Sequence, residues 1–347
     1  MKNLQIAMVG CGGMASNYRH RYTQIDGAKL ALVVDANEAV AKEAAQALGN
    51  IRWSCDFADA LAPEIDMVDI STPNFLHTAQ AVAAIEAGKH VIIQKPLAPS
   101  VAEAEAIVAA AKKTDKNVGM YMSMFNDPMM HDLKALVRSG MLGEIEGIHC
   151  RNAHRGGLFM PAGTWRGDLK KCGGGSFIQL AVHNIDFIQW LLEARIETVS
   201  AFSHNLRCSN VGGDDATTAA CIFSNRILGT LESSYCADRS ETSVYGTKGY
   251  FTMVNSAYLE MQIDNAFCGK VITYTTPGKL LRMPCSDTLE LYKHPNPYDQ
   301  SIAFVRAVLE GKPAPVSVDS GLYDLRVVQS VYASAKNGKA VDVAATN

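Results

Sequence analysis

The stretch LQIAMVGCGGMA, residues 4–15, decides how the first half of the chain folds. An apolar run with strand character leads into a glycine-rich turn, and the pattern G-x-G-x-x-A puts glycine at Gly10 and Gly12 and a small residue at Ala15. The first glycine allows a tight turn, the second lets a pyrophosphate approach the backbone, and the small residue permits close packing of helix on strand. The stretch therefore predicts a strand, a turn and a helix that bind a dinucleotide, although a glycine-rich turn of another kind can match the pattern.

A carboxylate stands about 20 residues beyond the turn, where a dinucleotide fold needs one. Asp35 ends the apolar run LALVVD, and its side chain would accept hydrogen bonds from the adenosine ribose. It would also repel a 2′-phosphate, and neither Ala36 nor Asn37 is an arginine, so NAD is expected rather than NADP. The alternative interpretation of Asp35 is a strand-end turn residue. Cofactor contacts in this region are expected from Gly10, Gly12, Gly13, Met14, Asp35 and Ala36.

Strand-like and helix-like segments alternate from residue 4 to about residue 122. The strand candidates are LQIAMV, LALVV, DMVDIS, HVIIQ and NVGMYM, and the helix candidates are EAVAKEAAQALG, HTAQAVAAIEAG and SVAEAEAIVAAAKK. Such alternation is typical of a parallel sheet with helices on both faces. Residues 1–122 are therefore expected to form a doubly wound α/β domain of the Rossmann type.

Two further segments fall at the ends of strands in this domain, at the edge where open α/β sheets bind ligands. STPNFLH, residues 71–77, offers Thr72, Pro73, Asn74 and His77 as cofactor contacts, with a plain turn and helix start as the alternative. HVIIQKPL, residues 90–97, sets a lysine directly after a buried strand. A buried ammonium is costly unless a partner or substrate meets it, so Lys95 is expected to face the nicotinamide, with Gln94 beside it.

The regular alternation of strand-like and helix-like segments ends after residue 123. Residues 123–347 are expected to form an α+β domain with a large open, mostly antiparallel sheet. Helices are predicted near PMMHDLKALVRSG, from about Phe177 to Leu192, and at DQSIAFVRAVLEG and LYDLRVVQSVYASAKNG. The strand candidates are EIEGIHCRN, ETVSAFSHN, TTAACIF, LGTLESSY, ETSVYG, YFTMV and VITYTT.

A second chemical cluster lies in GGGSFIQLAVHNIDFIQWLL, residues 173–192. Gln179 and His183 are four residues apart on the predicted helix, so they share one of its faces. The glycines before them leave room for close approach. A lone histidine on an apolar helix is also commonly a hydrogen-bonded core residue, so the spacing alone leaves both interpretations open.

Composition excludes several classes of partner. The chain has 347 residues, 48% of them hydrophobic and 19% charged, with a formal net charge of −3 at pH 7. This composition provides no excess of basic residues that would bind nucleic acid or an anionic membrane. The length of the chain suits two domains. The nine cysteines include no C-x-x-C pair, which favours reduced thiols in the cytoplasm over disulfides or a bound metal. Nothing at the N-terminus has the pattern of a signal peptide.

The order of these motifs resembles that of the Gfo/Idh/MocA oxidoreductases, the family of glucose-fructose oxidoreductase and inositol dehydrogenase. The resemblance rests on G-x-G-x-x-A, TPN, the K-P dipeptide, RSGMLGEI, TWRGDL, GGG before a helix with a histidine, and EGKPAPVSVDSG. It implies an enzyme that oxidises a hydroxyl of a sugar, sugar derivative or cyclitol with NAD, and a C-terminal sheet that makes a homodimer or homotetramer. Carried over residue by residue, it makes Lys95 the lysine that orients the substrate oxygen and His183 the general base.

Two positions depart from the family pattern. Gln94 stands where the family usually has glutamate, and Gln179 stands where it usually has aspartate. Trp165 and Arg166 of TWRGDL are expected to contact substrate together with Gln179, His183 and Lys95, with loop anchoring as the alternative for the pair at 165–166. Two rival functions remain open at this point: a redox-neutral enzyme that cleaves glycosides with bound NAD, and a protein that senses the dinucleotide without turnover.

Overall fold

The computed structural model describes residues 3–122, 128–255, 258–264, 266–267 and 300–345. Contacts divide the chain into two units. The first unit comprises Met1–Ser123, Lys170–Gly173 and Tyr298–Leu325, and the second comprises Met124–Leu169, Gly174–Pro297 and Arg326–Asn347. The expected division at residue 122 stays a prediction, and the packing adds two later segments to the first unit.

The first unit is built on a parallel sheet of six strands in the order β3-β2-β1-β4-β5-β6. The strands are β1 Leu4–Val9, β2 Ala28–Val34, β3 Arg52–Ser54, β4 Met67–Ile70, β5 His90–Ile93 and β6 Val118–Met120. This order is that of a doubly wound dinucleotide fold, and its strand order reverses between β1 and β4. The five predicted strands are confirmed. Strand β3 was not predicted, because it is an edge strand of three residues with little burial.

Helices form where the apolar periodicity predicts them. Their bounds are α1 Gly13–Ser16, α2 Glu38–Ala47, α3 Asn74–Glu86, α4 Val101–Ala111, α5 Pro128–Arg138, α6 Leu169–Cys172, α7 Val182–Leu192, α8 Gln300–Leu309 and α9 Val318–Asn337. Helix α4 begins at a capping box, since the Ser100 hydroxyl accepts from Glu103 N at 3.3 Å and donates to the Glu103 carboxylate at 2.7 Å. Among the described residues, we find no helix with the length and apolarity that a membrane crossing requires.

Residues from α8 to the start of α9 complete the first sheet at its β6 edge. Met120 N donates to Val316 O at 3.0 Å, and the Gln300 side chain accepts from Met122 N. A Cβ at Gly119 would lie 2.9 Å from both Phe304 and Ala314, so only glycine permits this close packing. The edge strand is therefore covered by a part of the chain almost 200 residues away, as the separation of 178 between Met122 and Gln300 shows.

The second unit contains a sheet of nine strands in the order β14-β13-β12-β11-β7-β10-β9-β8-β15. The strands are β7 Ile145–Ala153, β8 Ile196–His204, β9 Ala216–Phe223, β10 Leu228–Ser234, β11 Glu241–Gly246, β12 Gly249–Val254, β13 Tyr258–Ile263, β14 Ala266–Phe267 and β15 Val341–Asp342. The β7–β10 pair is parallel and the other pairs are antiparallel. The mostly antiparallel sheet is thus confirmed, and the predicted strand VITYTT lies outside the described residues.

One face of this sheet is buried and the other carries exposed apolar side chains. Strand β9 alternates between buried and exposed positions, as expected of a sheet with one covered face. Leu228 is 62% exposed, Tyr245 44% and Ile222 39%, and these three side chains line one shallow cavity on the sheet. An apolar patch of this kind commonly marks a contact surface.

Candidate active site

The glycine turn after β1 has the geometry that the sequence predicts. Gly10 has φ +88°, and a Cβ there would lie 2.7 Å from the backbone carbon of Ser71. Among the described residues, an added Cβ at Gly12 or Gly13 would meet nothing within 4 Å beyond the adjoining backbone, so both glycines border open space. Ala15 is fully buried and Met14 is 45% exposed. The turn is therefore closed by the end of β4 on one side and open for a ligand on the other.

Asp35 lies at the end of β2, beside this turn. Its Oδ2 accepts from Cys11 N at 2.9 Å, and its Oδ1 accepts from Asn37 N at 2.9 Å. The carboxylate is thus held in place by backbone donors from the glycine turn and from the start of α2. Each oxygen keeps a second lone pair that can accept from a hydroxyl group. Ala36, the next residue, is exposed.

The segment after β4 carries two of the expected cofactor contacts. The Thr72 hydroxyl donates to Gln80 Oε1 at 2.6 Å. Asn74 is 3% exposed, and its Nδ2 donates to Cys172 O at 3.1 Å. Pro73 precedes the first residue of α3. The side chains of Thr72 and Asn74 therefore already have partners within the first unit, and their contact with a cofactor stays a prediction.

His77 occupies a fully buried position on α3. Its Nε2 lies 2.8 Å from Thr72 O, and its Nδ1 lies 2.9 Å from Pro96 O. Burial lowers the pKa of the ring, and the nearby positive charge of Lys95 acts in the same direction. The ring thus contacts backbone on both sides, and the cofactor contact expected of it also stays a prediction.

Lys95 follows β5, whose carboxyl end lies beside those of β4 and β6. Its side chain is half-buried, and its backbone N donates to Gln94 Oε1 at 3.3 Å. The Lys95–Pro96 peptide bond is cis. Gln94 is 5% exposed, and its Nε2 is a buried donor with no hydrogen-bond partner in the part of the chain that the structure describes. An amide donor at this edge is therefore available to a bound molecule.

A buried polar network below this edge was not found by sequence reasoning. The Asp69 carboxylate accepts from Tyr18 OH at 2.9 Å, Tyr22 OH at 2.6 Å and Ser71 Oγ at 3.0 Å. Burial raises the pKa of Asp69 to about 6 even though these hydroxyls act against the rise. The acidic residue inside the apolar run DMVDI is the signal that identifies it, because a carboxylate at a buried strand position needs partners.

In the second unit the predicted helix runs from Phe177 to Leu192, and its first part is a π turn at Phe177–Ala181 that continues into α7. Gln179 lies in the π turn and is buried, and His183 lies in the first turn of α7 and is half-buried. Such π turns are common at functional sites. The predicted helix is therefore confirmed, with a local change of winding between the two candidate side chains.

Asp214 fixes the start of this helix, and sequence reasoning missed it. Its Oδ1 accepts from Gly175 N at 3.0 Å and from Tyr332 OH at 2.7 Å. Its Oδ2 accepts from Phe177 N at 2.9 Å and from Ser176 Oγ at 2.7 Å. A carboxylate at this end of a helix satisfies the unpaired N–H groups of the first turn. The only signal in the sequence is the acidic pair in GGDDATT.

Trp165 and Arg166 form a short 3₁₀ turn in the second unit. The guanidinium carbon of Arg166 lies 4.3 Å from the centre of the Trp165 ring, which is a cation–π contact. Gly212 N donates to Arg166 O at 2.9 Å, so the turn is held by the loop that precedes β9. The turn is thus held in place, and the contact of Trp165 and Arg166 with substrate stays a prediction.

The arrangement of the first unit fits a bound dinucleotide. The open glycine turn, the Asp35 carboxylate and the unpartnered Gln94 amide all follow strands whose carboxyl ends share one edge of the sheet. This edge, at the point where the strand order reverses, is where open α/β sheets bind nucleotides.

Comparison with known protein families agrees with this fit. Residues 4–122 match the model of an oxidoreductase family with an NAD-binding Rossmann fold, named GFO_IDH_MocA. Residues 130–252 match the model of the GFO/IDH/MocA C-terminal domain. Together the two matches span most of residues 4–252.

Individual relatives point the same way. The chain is 30% identical over 250 residues to scyllo-inositol 2-dehydrogenase (NAD(+)) of Bacillus subtilis. The aligned residues cover 70% of this chain and 69% of the relative. It is 25% identical over 287 residues to 1,5-anhydro-D-fructose reductase of Ensifer adhaerens, covering 81% and 80%. A levoglucosan dehydrogenase solved with NADH and levoglucosan shares the fold, with a TM-score of 0.86, 23% identity and coverage of 99% and 100%. The chain therefore belongs to the Gfo/Idh/MocA family of NAD-binding oxidoreductases.

Proposed function

We propose that this protein is an NAD-dependent dehydrogenase that oxidises a hydroxyl group of a sugar, sugar derivative or cyclitol. The observation that carries the proposal is the position of the half-buried residue Lys95 directly after β5, at the ligand edge of an NAD-binding sheet. Relatives are named for reactions of inositol and of an anhydrosugar, which are both polyhydroxylated rings.

The roles of the side chains follow from their charge and acid–base properties. The glycine turn and Asp35 would hold NAD, which would supply the acceptor for the hydride of the carbinol carbon. Lys95 hydrogen-bonds the substrate oxygen and stabilises the negative charge that develops on it as the proton leaves. His183 accepts that proton as general base, which requires its neutral form. Gln179, Trp165 and Arg166 orient the ring of the substrate through hydrogen bonds and an aromatic face.

The two amides distinguish this site from the usual family pattern. Gln94 and Gln179 carry no charge, so the site has less negative charge than one with two carboxylates. A carboxylate or another anionic group on the substrate would then meet less repulsion. We therefore expect sugar acids to be tolerated alongside neutral sugars and cyclitols.

A substrate screen with matched variants tests the proposed activity. Aldoses, cyclitols and sugar acids are incubated with NAD, and NADH formation is followed by its absorbance. Lys95→Ala should lower kcat by about 100-fold or more while NAD binding persists. Lys112→Ala removes a lysine whose side chain is 69% exposed, and it should leave turnover unchanged.

Two outcomes would contradict the dehydrogenase. Near-normal turnover by Lys95→Ala would mean that the lysine has no part in catalysis. Substrate conversion without net NADH release, with the reduced cofactor seen only transiently on the enzyme, would identify a redox-neutral member of the family instead.

We also propose that the exposed face of the nine-stranded sheet makes a homodimer or homotetramer. The support is the apolar patch of Ile222, Leu228 and Tyr245, since apolar patches on a sheet commonly mark an interface. Leu228→Glu would place a charge in that interface. Light scattering after gel filtration should show a smaller species for Leu228→Glu than for the unmodified chain, and equal masses would contradict the interface.

A further inference from the structure

Three metal-binding side chains meet in the second unit, outside the set of residues proposed for catalysis. Cys208, Asp215 and Cys236 each offer one ligand atom, and these atoms lie within 4.8 Å of one another. The two sulfur atoms are 3.7 Å apart. Cys208 and Asp215 are buried, and Cys236 is half-buried. Thiolate and carboxylate groups at such distances are a ligand set typical of zinc.

The two carboxylate oxygens of Asp215 differ in their backbone partners. Its side chain is fully buried, and its Oδ2 accepts three backbone N–H groups, from Leu206 at 2.9 Å, Arg207 at 2.5 Å and Cys208 at 2.9 Å. Its Oδ1 is buried with no hydrogen-bond partner among the described residues. A buried anionic oxygen without a donor normally has a cation nearby.

The surroundings hold the ligands in fixed positions. The Asn205 side chain donates from Nδ2 to Cys208 O at 3.3 Å, Val211 O at 3.0 Å and Gly213 O at 2.7 Å, which closes the loop between Cys208 and Asp215. Cys236 lies two residues after β10, and its N donates to Ser234 Oγ at 3.0 Å. Apolar side chains surround the cluster and shield it from water, namely Met160, Leu180, Val211 and Tyr235.

We propose that Cys208, Asp215 and Cys236 bind a zinc ion, with water as the fourth ligand. Two thiolates at about 2.3 Å from zinc in a tetrahedral site are about 3.8 Å apart, which is close to the observed separation of their sulfur atoms. Binding releases the two thiol protons, since thiolate is the form that ligates zinc. Two thiolates and one carboxylate then hold the doubly charged ion in a site of net charge −1, and the Asp215 carboxylate gains the ion as a partner.

A disulfide explains these observations less well. The bond would require the sulfur atoms to approach to about 2.05 Å. It would also leave the ionised carboxylate of Asp215 beside an uncharged, apolar group. A zinc ion accounts for the separation of the sulfur atoms and for the carboxylate placed beside them.

The position of the site suggests that the ion stabilises a loop on which other parts of the unit depend. Gly212, between Cys208 and Asp215, donates to Arg166 O, and Asp214 holds the start of the helix that carries His183. A zinc ion here would fix both ends of this loop. Its effect on catalysis is therefore expected to be indirect, through the placement of residues 166 and 177–183.

Metal analysis of the full chain tests the site without reference to turnover. The protein is purified without chelator, exchanged into metal-free buffer and analysed for zinc by mass spectrometry. We expect one zinc ion per chain, and we expect its loss in Cys208→Ser and in Cys236→Ser. Cys55→Ser is the matched control, because Cys55 is an exposed cysteine outside the cluster, and this variant should keep the zinc of the parent.

A second measurement covers the case in which a variant fails to fold. In the unmodified chain, zinc should protect two thiols from a thiol reagent, and replacement by Co²⁺ should give a thiolate-to-cobalt absorption band. Equal zinc content in Cys208→Ser and the parent would overturn the site. So would a parent chain that takes up neither ion, or one whose mass is two hydrogens low until a reductant restores it, which would identify a disulfide.

Discussion

Nδ1 of His77 lies 2.9 Å from the carbonyl oxygen of Pro96, and the other ring nitrogen lies 2.8 Å from the carbonyl oxygen of Thr72. Both partners are acceptors, while a neutral imidazole has one N–H. Burial lowers the pKa of the ring, so the neutral form prevails near pH 7 and one carbonyl receives the hydrogen bond. The ring joins the loop after β4 to the dipeptide that contains Lys95.

His77→Ala should therefore disturb both segments at once. The substitution leaves two buried carbonyl groups without a polar neighbour and opens a cavity, at a cost of about 2–4 kcal/mol in stability. We expect a lower melting temperature, weaker NAD binding and a reduced kcat. His77→Gln, whose amide can still donate to one carbonyl, should recover part of each, and calorimetry with NAD titration measures this. Weaker NAD binding in His77→Ala with an unchanged melting temperature would indicate a direct cofactor contact instead.

Substitutions at Gly10 and Gly12 should distinguish an effect on stability from an effect on cofactor affinity. Gly10→Ala forces an unfavourable φ of +88° and puts a Cβ 2.7 Å from the Ser71 backbone, so the cofactor-free protein should lose stability by more than about 1–2 kcal/mol. Gly12→Ala meets no chain atom and has φ −69°, so its melting temperature should be unchanged while its affinity for NAD falls. Unaltered NAD affinity in Gly12→Ala would show that the cofactor does not approach this turn.

The charge of Asp35 should set the preference for NAD over NADP. Asp35→Ser removes the charge that repels a 2′-phosphate, so the ratio of kcat/KM for the two cofactors should move toward NADP. Asp35→Asn keeps the shape of the side chain without its charge and should shift the ratio in the same direction. A parent enzyme that uses NADP as well as NAD would contradict the assigned role.

Asp69 predicts a particular dependence of stability on pH. Its pKa of about 6 in the folded protein lies above that of the unfolded chain, so the folded state binds the proton more tightly. This contribution to stability is complete below pH 4 and is lost as the pH rises through about 6, by up to about 3 kcal/mol. The melting temperature of Asp69→Asn relative to the parent should thus increase between pH 4.5 and pH 7.5. A difference that stays constant over this range would contradict the raised pKa.

Gln179 allows a test of the proposed base. If His183 accepts the proton, the acidic limb of kcat/KM against pH reports its ionisation. Gln179→Asp would place a negative charge near the ring and should shift that limb to higher pH by roughly one unit. Gln179→Glu serves as the control for a longer side chain that points away. An unmoved limb in a folded, NAD-binding Gln179→Asp would favour Lys95 as the base.

Most of the fold could be predicted from local patterns in the sequence. The glycine turn, the alternation of strands and helices, and the helix from Phe177 to Leu192 are all signalled by neighbouring residues, so a single sequence suffices to predict them. Strand β3 was not predicted, because a strand of three residues, two of them exposed, is too short to show a periodicity. The π turn was not predicted, because a local change in helix winding does not alter the pattern of apolar residues.

The candidate site was predicted only in part, for a related reason. Residues such as Gly10, Asp35 and Lys95 are recognisable because each stands at a fixed point relative to a strand. Asp214 acquires its role from contact with residues 175–177, which lie almost 40 positions earlier in the chain. Cys208 and Cys236 likewise meet through the pairing of β9 with β10, so their spacing in the sequence contains no ligand motif.

Residues 298–325 belong to the first unit although they follow most of the second unit in the sequence, and this order affects folding during synthesis. During synthesis the strands of the first sheet leave the ribosome well before the segment that covers β6, since Met122 and its partner Gln300 are 178 residues apart. Until that segment emerges, the apolar surface around Gly119 is exposed to solvent. Exposed apolar surface of this kind favours association of a nascent chain with other proteins. The nucleotide-binding unit therefore completes its folding only after this later segment has emerged.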